Sequence, residues 1–517
     1  MVLPQRGETT VRPDARSRAV ASSVVNLLVT TYPSLAGVSD TNSGGAISRF
    51  GKGVLLAAAD GSFHYFEIHR GARELPVRTI GLRVPMNRDA ALDYVTRNHI
   101  SFRPGTMFRV ADILVQEHGQ GFRLFAAHHY WNSDLHCFTV RVSSLDGTYA
   151  AAMGGEWGGW ETLFDSSPCI PLTSEKQTLP LDHLLQSGGK LELIGPQKLL
   201  LTVGDHEFDG VNAPKDYPQD PTASYGKTIL IDLNARTSSV YTMGHRSPEG
   251  LHADASGRVW LTEHGPQGGD ELNLLREGAN YGWPLVTYGT EYGQLNWPLS
   301  AQQNRHDGFE QPTYAWTPSI GVSSLIEVRG SLFSRWKGDL LVSSLRDESL
   351  WRLRTHMGHV VLAERIRIRQ RIRDLLEDES GRVVLLTESF VEGLLRPAIV
   401  IVEPVASEGV PNVSADSAAE RGALVFARCS GCHPLATGTM HGIGPDLRGV
   451  LHRDIAAANG YAYSDAMKRL PGTWSEKSLD EFLAAPAGYA PGTVMKSEGV
   501  PDPGEREDLI AFLRGGN

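Results

Sequence analysis

Four cysteines in 517 residues are too few for a disulfide-built scaffold. No apolar run approaches the roughly 18 to 20 residues that a membrane-spanning helix requires, so the sequence predicts no transmembrane segment. The 49 basic residues are scattered and outnumbered by 59 acidic ones, giving a net charge of −10 and no electrostatic footprint for nucleic acid. A recognisable export leader is missing too. Met1 to Ala21 mixes arginines with acidic residues and prolines, and Val24-Val25-Asn26-Leu27-Leu28-Val29 is shorter than a normal leader core, with no cleavage signal after it. Residues 1–43 therefore read as a disordered segment or the remnant of a leader.

Against these absences stands Cys429-Ser430-Gly431-Cys432-His433. Two thiols and an imidazole at this spacing read as covalent c-type haem attachment: Cys429 and Cys432 form thioethers to the vinyl groups, and His433 turns a ring nitrogen to the iron. The protein therefore transfers electrons. Downstream come Gly444-Pro445-Asp446-Leu447, Gly460-Tyr461-Ala462-Tyr463, Trp474, and Pro491-Gly492-Thr493-Val494-Met495 ahead of a closing amphipathic pattern. Over residues 417–517 the chain resembles a class I cytochrome c. The resemblance implies an all-α domain with His433 and Met495 as axial ligands, Pro445 behind the histidine ring, and Tyr461 and Trp474 near a haem propionate. A Met/His pair raises the iron's potential and suits an electron acceptor. Met440 and Met467 are the competing methionines.

Haem uses two of the four thiols and leaves Cys137 and Cys169. Covalent haem attachment normally takes place outside the cytoplasm, where disulfides also persist. A Cys137–Cys169 bridge and a periplasmic location are therefore expected, with two separate buried thiols as the alternative.

The chain is too long for one core. A stretch rich in Pro, Gly and small residues at 404–416 reads as a linker. Ahead of it, residues 44–403 carry short aliphatic runs such as Gly53-Val54-Leu55-Leu56-Ala57, separated by turn residues. The phrase Asp254-Ala255-Ser256-Gly257-Arg258-Val259 recurs as Asp378-Glu379-Ser380-Gly381-Arg382-Val383, the mark of a repeated hairpin. Many short strands with internal recurrence predict a mainly β domain and favour a β-propeller of five to seven blades.

Within that domain lie Gly244-His245-Arg246-Ser247-Pro248-Glu249, Glu263-His264-Gly265-Pro266, and Gly278-Ala279-Asn280-Tyr281-Gly282-Trp283-Pro284, with further matches at Val203-Gly204-Asp205, Lys337-Gly338-Asp339 and Arg371-Ile372-Arg373-Asp374. Here, over roughly residues 180–400, the chain resembles the soluble glucose/sorbosone dehydrogenases. That resemblance implies a six-bladed β-propeller that binds pyrroloquinoline quinone (PQQ) and calcium and oxidises an aldose sugar or related alcohol. It assigns Arg246, Arg346, Arg371 and Arg373 to the cofactor, with Arg346 replacing a usual lysine, and the carbonyls of Gly265 and Pro266 to calcium. Guanidinium forks suit a tricarboxylate, and carbonyl oxygens suit a hard cation.

The family's general base is a histidine just before a Gly-Gly turn. Counting back from Gly188-Gly189-Lys190-Leu191 places Gln186 there, and glutamine cannot act as a base. A register slip brings His183 to the position, and His183 is the expected catalytic base; His206 is a second candidate, and loss of the base a third outcome. Ser247, where an asparagine is common, is another departure. The functional expectation is a dehydrogenase that passes electrons singly to its own haem c and then to a downstream acceptor. The alternatives are a degenerate propeller that docks a cytochrome and, further off, a calcium-dependent hydrolase.

Overall fold

The computed structural model describes residues 15–23, 25–33, 35, 44–69, 71–100, 108–171, 186–300, 305–391, 394–405, 418–426, 429, 433, 444–495 and 499–515. Six antiparallel sheets dominate it. Their first strands, Ala46–Phe50, Val110–His118, Gly188–Gly195, Ser247–Ala253, Val322–Glu327 and Arg371–Glu377, each pack against the first strand of the next sheet, and the last returns to the first. This closed ring is a six-bladed β-propeller, as the resemblance implied.

Strands packed on both faces explain the aliphatic runs. In Gly53–Ala57, Leu55 and Ala57 enter one core, while Val54 and Leu56 enter another. Val383 and Leu385, and then Val384 and Leu386, divide between two cores in the same way. Both faces of these inner strands are covered, so their apolar residues need not alternate with polar ones. Each fully buried leucine contributes about 2 kcal/mol.

The repeated phrase forms the same hairpin in blades four and six. Asp254 Oδ1 accepts from the amides of Ser256 and Arg258, and its Oδ2 accepts from Arg258 Nε and Trp260 Nε1. Asp378 likewise accepts from Ser380 N, Arg382 N and Arg382 Nε. Each aspartate is a hub that fixes the turn between the first and second strands.

The expectation for residues 1–43 is corrected by this ring. Arg16–Ala21 and Asn26–Tyr32 are strands of the sixth blade, paired outside Leu394–Pro404 from Leu27↔Pro404 to Tyr32↔Ile399. Leu27 and Val29 are fully buried there. The short apolar stretch is long enough for a strand, and it joins the two ends of the propeller chain while covering an exposed sheet edge. Residues 1–14 lie outside the described residues.

The expected disulfide is present between Cys137 and Cys169, with Cα atoms 5.7 Å apart. No helix among the described residues is long and apolar enough to cross a membrane.

The carboxy-terminal domain is helical. Ala418–Phe426 packs on Pro503–Gly515, where Gly422 allows contact: a Cβ there would lie 1.9 Å from the Asp508 carbonyl oxygen. Phe426 and Phe512 meet beside it at 5.3 Å. Helix Glu476–Ala484 begins at Ser475, which exchanges hydrogen bonds with Ser478 in a capping box, and buries Leu479, Phe482 and Leu483 on one face.

Candidate functional site

Antiparallel pairing places the start of each first strand and the end of each second strand at one mouth of the propeller. Arg109, Gln186, Arg246 and Arg371 begin or precede first strands, while Asp205, Gly265 and Arg346 follow second strands. The topology therefore gathers residues distant in sequence.

Buried ion pairs seal the central cavity. Lys190 Nζ reaches Asp112 Oδ1 at 2.9 Å and Asp374 Oδ1 at 2.7 Å, joining blades two, three and six. Asp112 also accepts from Leu191 N at 2.8 Å, and Asp374 from Ile47 N at 3.0 Å. Burial raises the Asp112 carboxyl above its ordinary range; Lys190 opposes the rise and Asp374 reinforces it. Arg373 lies at the rim of this cavity with Nε and Nη2 on Glu388, at 3.1 and 2.9 Å. Arg371 sits opposite Glu388 in the strand register and helps hold that carboxylate ionised.

Arg246 is held by groups from several turns of the mouth. Its guanidinium donates from Nη1 to the Gly265 carbonyl at 3.1 Å and lies 5.4 Å from the Trp283 ring. Its backbone amide donates to Glu263, and its carbonyl accepts from Asp205 N. Trp283 Nε1 in turn donates to Asp205 Oδ2 at 2.8 Å. Burial pushes the Asp205 carboxyl up to about 8, against the pull of Arg246. Arg246, Gly265 and Trp283 thus form one unit, held from behind by Asp205.

The turn after Glu263 is rich in main-chain oxygens. A Cβ on Gly265 would lie 2.2 Å from the Gly268 carbonyl oxygen and 2.4 Å from that of Gly269, so only glycine permits the approach. Pro266 packs beside Gly289 in this turn. Arg346 shares the mouth, but it is exposed. Ser247 donates to Glu249, a carboxylate of the cavity wall.

Gln186 donates from Nε2 to Glu207 at 3.3 Å, and its buried carbonyl oxygen has no partner among the described residues. His206 is completely buried, with a left-handed φ of 51° and its ring edge-on to Tyr225 at 5.3 Å. His183 lies outside the described residues.

In the helical domain, His433 Nδ1 lies 2.9 Å from the Pro445 carbonyl oxygen. A carbonyl can only accept, so Nδ1 carries the proton and Nε2 is left with a lone pair for a metal. Gly444 touches the ring: a Cβ there would stand 2.3 Å from His433 Cε1. Cys429 and Met495 are half-buried against the helical core, and Met467 is buried within it. Trp474 is buried beside Phe482 and Tyr489, and Tyr461 is half-buried with its ring 4.8 Å from that of Tyr463. Cys432 and Met440 lie outside the described residues. A fixed tautomer and a glycine beside the ring, in a domain that also carries Cys429 and Met495, fit haem iron.

The family model for glucose/sorbosone dehydrogenase matches residues 176–396, and that for cytochrome c matches residues 419–517. Cytochrome c2 of Rhodoblastus acidophilus is 39% identical over 94 residues, covering 18% of this chain and 88% of that protein. The chain joins a glucose/sorbosone dehydrogenase domain to a cytochrome c domain. Aldose sugar dehydrogenase YliI of Escherichia coli is 29% identical over 225 residues, 40% of this chain and 59% of that protein. The chain spans little more than half the length of the curated propeller relatives it matches, 55% and 59%. The apo structure of the soluble aldose sugar dehydrogenase of Escherichia coli shares the propeller fold at a TM-score of 0.55 and 20% identity, covering 73% of this chain and 100% of that one. The cytochrome c domain implies haem c.

Several residues of the dehydrogenase domain's mouth escape motif reading. Glu388 is recognisable only once strand pairing sets it against Arg371 and Arg373. Arg109 and Ser187 meet across 78 residues, and no local pattern announces either.

Proposed function

We propose that this protein is a periplasmic quinohaemoprotein dehydrogenase. It oxidises an aldose sugar or related alcohol at PQQ held with calcium and passes the electrons one at a time to its own haem c, from which a downstream carrier takes them. The observation that carries this reading is the convergence of Arg246, Arg371 and Arg373 on one propeller mouth, in a glucose/sorbosone dehydrogenase domain that shares its chain with a cytochrome c.

The residues present fit the cofactor. Arg246 and Arg371 offer guanidiniums to carboxylates, with Arg373 held beside them on Glu388, and the turn at Gly265 and Pro266 supplies main-chain oxygens of the kind calcium takes. PQQ, when bound, supplies an ortho-quinone that accepts a hydride, two electrons with one proton, from the substrate carbon. Arg246 would hold and orient it, with Trp283 packed against the guanidinium and Asp205 fixing both. At neutral pH Asp205 largely keeps its proton and so leaves the charge of Arg246 uncancelled. Arg346 would act from the exposed rim. His183 is proposed as the base that removes the hydroxyl proton, since Gln186 cannot and His206 is packed against Tyr225.

In the cytochrome domain, Cys429 and Cys432 would anchor the haem, and His433 and Met495 would bind its iron. Haem, when bound, supplies a one-electron acceptor, so each sugar oxidised reduces two equivalents of haem in succession. Tyr461 and Trp474 would stand near a propionate.

The test adds PQQ, calcium and a panel of aldoses to the haem-loaded full chain and follows the haem absorption. Reduction that requires both sugar and PQQ is expected. An intact haem that no sugar or alcohol reduces would sink the proposal, and unchanged turnover in His183→Ala would remove His183 as the base.

A further inference from the structure

We propose that Arg109 is the carboxylate-receiving guanidinium of the central cavity, a role the family resemblance gives to Arg373. The inference rests on reading the cavity as the place where an anionic cofactor and a sugar meet, and it concerns which side chain of this chain meets the anion.

The cations lining the cavity are not equivalent. Lys190 is held between Asp112 and Asp374, and Arg373 has Nε and Nη2 occupied by Glu388. Arg109 differs. Its Nε and Nη2 both donate to the same hydroxyl oxygen, Ser187 Oγ, at 3.0 and 2.7 Å. Among the described residues no carboxylate comes within ion-pair distance of it. Glu249 shares the cavity wall and attracts Arg109 from a distance, while its own carboxylate accepts from Ser247. A guanidinium has five N–H donors in a rigid plane, and a single hydroxyl leaves most of them for another acceptor. Burial depresses the pKa of Arg109, the cost of a cation held without an adjacent anion.

The wall beside Arg109 is shaped for a close approach. Gly44, Gly45 and Gly188 line the cavity with φ of 125°, 94° and 59°. A Cβ on Gly44 would lie 3.2 Å from Arg109 Cβ, and one on Gly45 only 2.7 Å from the Ala57 carbonyl oxygen. Main chain without side chains therefore makes up part of the cavity wall that Arg109 shares. Ser187 holds the fork in place while adding no charge, so an incoming carboxylate completes the electrostatics instead of competing with an internal partner.

That carboxylate can belong to the cofactor or to an acidic sugar, and one experiment separates the sources. The haem-loaded full chain, wild type, Arg109→Gln and Arg109→Lys, is dialysed to equilibrium against PQQ with calcium, and separately against glucuronate. Thermal melting and the haem spectrum establish that each variant is folded. Losing a charge-assisted bidentate contact should weaken binding of the recognised carboxylate about 10- to 100-fold in Arg109→Gln. Arg109→Lys, which keeps the charge but not the fork, should fall in between, and it carries the test alone if the glutamine variant does not fold. Selective loss of PQQ binding assigns the cofactor's carboxylate, and selective loss of glucuronate binding assigns a substrate's; either supports the proposal. If wild type binds PQQ and the variants bind both compounds within twofold of it, Arg109 has no such role and the quinoprotein reading stands. If wild type binds neither, both readings fall.

Discussion

The haem turn and the propeller cavity solve the placement of reactive groups by opposite means. In the cytochrome domain, the groups that fix His433 come from its own neighbourhood: the Pro445 carbonyl on Nδ1 and Gly444 against the ring, 12 and 11 positions along the chain. In the propeller, Lys190 joins carboxylates 78 and 184 residues away, on blades that meet only when the ring closes. A local site can be specified by a short peptide, whereas a distributed one exists only as a property of the closed fold. The difference predicts what damage does to each.

The largest effect is expected at Lys190. Lys190→Met leaves Asp112 and Asp374 buried together without their cation, a loss of about 3–5 kcal/mol. Denaturant unfolding followed by tryptophan fluorescence should show the propeller destabilised while the haem spectrum is unchanged. Equal loss in both domains would break the contrast, because it would make the cavity and the haem turn parts of one cooperative unit.

Next comes Gly444→Ala. Its methyl would stand 2.3 Å from His433 Cε1, so the ring must shift from the Pro445 carbonyl. A stability cost of about 1–3 kcal/mol is expected in the cytochrome domain alone, with a changed haem spectrum as the imidazole is displaced. A normal spectrum would show that the turn yields without moving the histidine.

Asp254 offers a finer probe, because its hub is local in sequence although it lies in the propeller. Burial disfavours its charge, but hydrogen bonds from Ser256, Trp260 and Arg258 outweigh burial and hold the carboxyl well below the usual range. A folded-state pKa below the unfolded one gives stability that is present above about pH 4 and is lost as pH falls toward the folded value. Asp254→Asn should therefore cost about 1–2 kcal/mol at pH 7, and the gap to wild type should narrow below pH 4. A gap that does not depend on pH would assign the effect to packing.

These contrasts also explain what the sequence disclosed. The Cys429 to His433 pentapeptide, the Asp254 and Asp378 phrases and the doubly buried aliphatic runs are local patterns, and each led to the right element. The Arg246 unit was partly legible, since Gly265 lies only 19 positions from Arg246. Arg109 with Ser187 and Arg373 with Glu388 were not, because nothing but blade closure or strand register brings them together. The same reason hid the strand Asn26–Tyr32, whose partner lies some 370 residues on at Leu394–Pro404. Its apolar residues have the composition of a short leader core, and no local signal points to a partner strand at the far end of the chain.

The smallest effect concerns the proposed passage of electrons from the distributed site to the local one. Leu394–Pro404 begins at the mouth and ends at the opposite face of the propeller, where Val405 N still donates to Asn26 O. Twelve residues, 406–417, separate it from helix Ala418–Phe426, and fully extended they reach no more than about 40 Å. The 11-residue strand itself rises about 36 Å. A cytochrome returning to the mouth of its own propeller therefore works near the limit of its tether, where effective concentration depends steeply on length. Inserting ten Gly/Ser residues should speed intramolecular haem reduction a few-fold, and deleting six should make reduction second order in protein as cytochromes serve neighbouring molecules. Rates indifferent to both changes would mean that electrons leave the propeller elsewhere than at its mouth.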